Sequence, residues 1–145
     1  MYTRRPIDTL LAQYRESHRN PTNEIIHMVC VPLIVFSLIG LLWALHPLLA
    51  LAAIGGSLWY YERLSRPFAI GMLAMALVIL AVLGVLPRGA VLPLSIAVFV
   101  LAWIGQFIGH QIEGKKPSFL DDLRFLLIGP LFVLSFLYRR MKVAW

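Results

Sequence analysis

The chain has 145 residues, of which 60% are hydrophobic and only 14% charged, with a formal net charge of +6. An ordinary soluble domain carries roughly a quarter charged residues, and one this small lacks the interior to hide so much apolar surface. The composition therefore excludes a soluble globular domain and makes lipid the main solvent, as the mean hydropathy of +0.81 also says. The basic excess forms no stripe with interleaved aromatics in a polar domain. That excludes nucleic-acid binding and points to membrane lipids, with anionic headgroups beside the helix ends. The single cysteine, Cys30, lies in an apolar run. It excludes a disulfide framework or a multi-Cys metal site and reads as a small buried hydrophobe.

Residues 1–24 are polar and lack the apolar core of a signal peptide, so no cleaved leader is expected. Within them, Ile7, Leu10, Leu11 and Tyr14 repeat at helical spacing, which predicts an amphipathic helix over 6–18 lying along the membrane interface. Asn20-Pro21 ends it, with Asn20 as the cap of a new helix and Pro21 in its first turn. That helix runs on through Ile25–Leu45, 21 residues without a charge and long enough to span a bilayer. His46-Pro47 breaks it, and Pro47–Tyr61 is a shorter apolar segment. Phe68–Leu86 and Ala90–Gly109 read as spans separated by Pro87-Arg88-Gly89. Residues 110–124 form the longest polar loop. Phe125–Tyr138 is apolar but only 14 residues long and contains Gly129-Pro130, which predicts a short kinked span or a re-entrant hairpin. Residues 139–145 are a basic tail. The fold class is all-α: one polytopic membrane bundle of four to five apolar segments over 25–138, with an interfacial N-terminal helix.

With the N-terminus in the cytoplasm, Arg4, Arg5, Arg15, Arg19, Arg63, Arg66, Lys115, Lys116 and Arg124 fall inside and only Arg88 falls outside, as the positive-inside rule asks. His18, His27 and His110 then share the cytoplasmic side, and His46 lies at the opposite end. His18 and His27 are nine apart, so they converge only because the chain turns at Asn20-Pro21. Gln106, His110 and Glu113 fall on one face of a helix end. Three imidazoles presented to one point would suit iron or zinc and leave positions open for substrate. Gln106 or Glu113 would be a fourth ligand or would orient an imidazole. Taken singly, each histidine is equally well explained as a polar anchor or helix cap at a membrane boundary. Lys115 and Lys116 read first as headgroup contacts.

Two stretches resemble one family. Tyr14, His18, Asn20, Pro21, Asn23, His27 and Pro32 resemble the N-terminal motif of the small multi-span membrane family that includes the fungal 2-hydroxy fatty acid dioxygenase. Gln106, Phe107, Gly109, His110, Glu113, Lys115, Lys116, Pro117, Leu120 and Asp121 resemble its second motif, with Gly114 departing by separating Glu113 from the basic pair. The resemblance implies an Fe(II)-dependent dioxygenase acting on a long-chain 2-hydroxy fatty acid and dioxygen. The products would be carbon dioxide and the acid one carbon shorter, a step of α-oxidation that serves phytosphingosine breakdown in the fungal relatives. It implies His18, His27 and His110 as metal ligands and Glu113, Gln106 and Asn23 as catalytic residues. Lys115, Lys116, Tyr14 and Asn20 would contact substrate. The alternative is a non-enzymatic scaffold or lipid-binding protein whose histidines anchor helix ends. Di-iron lipid hydroxylases resemble one another in carrying many histidine boxes, and four histidines argue against that class.

Overall fold

The computed structural model describes residues 4–145, so the first three positions of the expected N-terminal segment lie outside the described residues. Six α-helices follow one another: α1 (Pro6–Glu16), α2 (Pro21–Leu45), α3 (Pro47–Leu64), α4 (Arg66–Val85), α5 (Arg88–Glu113) and α6 (Phe125–Met141), with a 3-10 turn at Ser118–Leu120 before the last. The described residues contain no strand. The breaks fall where the local chemistry puts them. The Asn20 side chain accepts the Thr22 N–H at 2.9 Å and Pro21 fills the first helical position. His46 ends α2, and its Nδ1 accepts the Leu48 N–H at 3.1 Å, which caps α3 ahead of Pro47. Gly114 closes α5 in the left-handed region at φ 75°, a conformation that favours glycine.

Three helices, α2, α4 and α5, are long and apolar enough to cross a membrane. The outer faces are apolar too, with Ile70, Val78, Leu101 and Ile104 all exposed, a surface that fits lipid rather than water. α2 and α5 run antiparallel in close contact, and small residues make the approach possible. Gly40 faces Ser95, Gly105 faces Cys30 and Gly109 faces Asn23, each so closely that a Cβ would collide with the opposite side chain.

Two expectations are revised. α6 is one unbroken helix from Phe125 to Met141, with Pro130 inside it and no reversal, so it is not a re-entrant hairpin. It is also among the most buried elements, carrying Phe125, Ile128, Leu131, Phe132, Leu134 and Tyr138 into the main core. The apolar stripe of α1 packs against this helix: Ile7, Leu10, Leu11 and Tyr14 are all buried in the same core. α1 is thus held by protein packing, which aligns the turn that follows it. α5 also extends past Gly109 to Glu113, which shortens the expected loop over 110–124 and keeps Gln106, His110 and Glu113 together on one helix end, as their spacing predicts.

Candidate metal centre

Three elements deliver the histidines to one end of the bundle. His18 sits in the turn between α1 and α2, His27 two turns into α2, and His110 in the last turn of α5. Their ring centroids stand 4.0, 4.8 and 4.9 Å apart, with every pair near perpendicular. One ligand nitrogen from each lies within 4.8 Å of the others, and all three side chains are buried. His46 caps a helix at the opposite end.

The hydrogen bonds fix the tautomers. His18 Nδ1 donates to the Tyr14 carbonyl at 2.6 Å and His27 Nδ1 donates to the Asn23 carbonyl at 3.0 Å. A carbonyl only accepts, so both Nδ1 atoms carry the proton and both Nε2 atoms present bare lone pairs. Those two Nε2 atoms face each other at 2.7 Å. Burial holds His18 well below the usual histidine range, to about 4, so protonation at neutral pH does not relieve the repulsion. His110 Nδ1 is buried with no hydrogen-bond partner among the described residues. Converging, neutral, backbone-oriented imidazoles are what a divalent transition-metal ion requires, so the residues fit a metal. The donor set alone suits iron and zinc alike.

A second layer of side chains holds this geometry. The Tyr14 ring stacks on His18 at 4.1 Å and 8°, and Phe132 packs against both rings. Glu113 accepts the backbone N–H groups of Arg19 and Asn20, at 3.0 and 2.8 Å, and the Asn23 amide at 3.2 Å. Asn23 also donates to the Ser17 carbonyl at 3.1 Å. The end of α5 thereby clamps the turn that carries His18 to the start of α2. Ser17 and Ser118 pair at 2.6 Å, which ties the same turn to the 3-10 segment.

The histidines open on a cavity of about 290 Å³. Gln106 lies in its wall, 5% exposed, with its Oε1 unpartnered among the described residues. Tyr14 lines it as well, whereas Glu113, Asn23, Asn20, Lys115 and Lys116 do not. Lys115 donates to the Glu16 carbonyl at 3.2 Å, and Lys116 pairs with Asp121 at 2.6 Å. The remaining wall is mainly apolar, including Pro130 of the expected Gly-Pro break and Phe99, Trp103 and Phe119, which the sequence does not single out. Trp103 could have been found from its spacing: it precedes Gln106 by three and His110 by seven, which places all three on one face of α5.

The Mpo1-like family, described as 2-hydroxy-palmitic acid dioxygenase Mpo1-like, matches residues 5–141. The 2-hydroxy-palmitic acid dioxygenase MPO1 of Saccharomyces cerevisiae is 31% identical over 138 residues, covering 89% of this chain and 78% of the yeast protein. No solved structure matches the chain. The family match spans all of the helices, from α1 to α6, and the chain belongs to the Mpo1-like family.

Proposed function

We propose that this protein is an Fe(II)-dependent dioxygenase of long-chain 2-hydroxy fatty acids, bound in the membrane by several helices with its metal centre on the cytoplasmic side. The reaction takes one 2-hydroxy acid and one dioxygen to the acid one carbon shorter, carbon dioxide and water. The four electrons that reduce dioxygen come from the substrate as its Cα–carboxyl bond breaks, so no further reductant is required. Iron, when bound, supplies the redox centre at which dioxygen and the 2-hydroxy acid react. The observation that carries this reading is the pair of unprotonated Nε2 atoms of His18 and His27 at 2.7 Å, with His110 beside them, at the mouth of a mainly apolar cavity.

The chain's own residues divide the work. His18, His27 and His110 hold the metal as neutral donors. The Tyr14 and Asn23 carbonyls fix the orientation of the first two by accepting their Nδ1 protons. Glu113 and Asn23 act as positioning residues through the clamp on the turn at Arg19 and Asn20. Gln106 offers an unpartnered amide oxygen to the substrate hydroxyl from the cavity wall. Lys115 and Lys116 sit on the neighbouring loop, where their charge draws a carboxylate to the interface.

The decisive experiment is anaerobic purification followed by metal analysis and an Fe(II)-dependent assay with 2-hydroxypalmitate. The expected result is about one metal ion per chain, with carbon dioxide release and a fatty acid shortened by one carbon. Lipid binding without metal, and no turnover on adding Fe(II), would reject the enzyme in favour of a lipid-binding membrane protein.

A further inference from the structure

A second apolar space adjoins the cavity at the histidines. This second groove of about 240 Å³ lies between α2, α3, α4 and α6, and the two share Val35, Leu38, Leu126 and Pro130 as walls. One face of α2 runs the length of both: His27, Val31, Ile34 and Leu38 line the first, then Leu38, Ile39 and Leu42 line the second. The stripe is a continuous helical face. The second groove is almost wholly apolar, and the hydroxyl of Tyr61 in its wall is already donated to the Leu127 carbonyl at 2.8 Å. Its far end is set by Leu42 with the small side chains of Ala53 and Ala76.

The span of this path is readable from the helix. From His27 to Leu42 is fifteen residues, or about 22 Å at 1.5 Å per residue. An extended chain of single bonds advances about 1.2 Å per bond, as in a polypeptide that covers about 3.6 Å with three, so the path takes about 18 bonds.

We propose that this groove is the acyl-tail site, and that Leu42 and Ala76 at its far end set the longest chain the protein accepts. The proposal rests on the reading of the substrate as a 2-hydroxy fatty acid. The occupant is the tail of that acid rather than bulk phospholipid, because the groove adjoins the histidine cavity across the shared Val35, Leu38, Leu126 and Pro130, and that cavity would hold the polar head.

The test uses metal-free protein in lipid nanodiscs and saturated 2-hydroxy acids of increasing length, read by displacement of a fluorescent fatty acid. Affinity is expected to rise about fourfold per added methylene, the tenfold-per-1.4-kcal/mol equivalent of burying one methylene, up to a break near the length of the path. Ala76→Phe fills the far end and moves the break to shorter chains. Leu42→Ala opens it and moves the break to longer ones, so the outcome does not hang on one variant if Ala76→Phe fails to fold. Affinity that climbs without a break, or a break that neither folded variant moves, overturns the groove assignment. A break that moves as expected while no 2-hydroxy acid is turned over keeps the groove and rejects the dioxygenase reading. Turnover whose chain-length profile is untouched by both variants rejects the groove alone.

Discussion

Glu113, at the end of α5, accepts the backbone N–H of Asn20, at the start of α2, at 2.8 Å. Its other oxygen takes the N–H of Arg19 at 3.0 Å. The carboxylate thereby ties together the two helices that carry His110 and His27, and it also fixes the turn that carries His18. Both oxygens accept backbone N–H groups, which fits the proposed positioning role of Glu113.

Replacing it separates those roles. Glu113→Ala leaves two backbone donors without their partner and is expected to weaken metal binding by about 10–100-fold, as loss of an orienting neighbour does. Glu113→Gln keeps an acceptor oxygen and should recover part of that affinity. Metal titration of both variants decides the point: equal and complete loss of metal in the two would mean that the carboxylate itself coordinates.

The three clustered histidines should behave as a set apart from the fourth. His18→Ala, His27→Ala and His110→Ala are each expected to lower bound metal from about one per chain to near none. His46→Ala removes only the cap of α3, a loss of about 1 kcal/mol in stability with full metal content. Adding a divalent transition metal at about 100 times its dissociation constant should stabilise the wild-type and His46→Ala proteins by about 2.7 kcal/mol, and leave His27→Ala unmoved. Melting curves with and without metal read this directly.

Much of this was legible because the sequence punctuates itself at its helix boundaries. Asn20-Pro21, His46-Pro47 and Pro87-Arg88-Gly89 mark helix boundaries by backbone chemistry alone, and uncharged runs of span length mark the helices between them. The turn at Asn20 was enough to bring His18 and His27 to one side. The packing of α1 and α6 was not legible. An apolar stripe of four residues on α1 suits a lipid interface as well as a protein core, and only the position of α6 decides for the core. A segment of 14 apolar residues with a Gly-Pro pair is equally ambiguous, because its helical continuation through Arg139 and Arg140 depends on tertiary contacts such as Tyr138 with Phe68. The clamp by Glu113 escaped because hydrogen bonds to backbone N–H groups leave no periodic trace in a sequence.

Tyr14 offers a test of what the ring beneath His18 contributes. Its face is stacked on the imidazole and its carbonyl holds the Nδ1 proton. Burial pushes its phenol above the usual tyrosine range, so the hydroxyl stays neutral at working pH. Tyr14→Phe keeps both stack and carbonyl and is expected to retain the metal. Tyr14→Ala removes a buried ring, costing about 3–5 kcal/mol of stability and loosening His18. Equal metal content in Tyr14→Ala and wild type would show that the stack does not orient the ligand.

The close approach of α2 and α5 near the metal centre depends on Gly109, the residue before His110. A Cβ there would collide with Asn23 Oδ1, and Asn23 cannot simply swing away, because its amide nitrogen is held by the Ser17 carbonyl and by Glu113. Gly109→Ala is therefore expected to push the helices apart at the end where the imidazoles must meet. The cost should be about 1–3 kcal/mol, as for overpacking elsewhere, together with a loss of metal affinity larger than the change in stability alone explains. Gly84→Ala is the matched control, since a Cβ at that position meets nothing within 4 Å. In the last turn of α4 it should be neutral or stabilising by at most about 0.5–1 kcal/mol. Thermal melting and metal titration on the pair separate a local effect at the site from a general response to an added methyl. If Gly109→Ala melts like Gly84→Ala and binds metal like wild type, the spacing of α2 and α5 is not what brings His27 and His110 together.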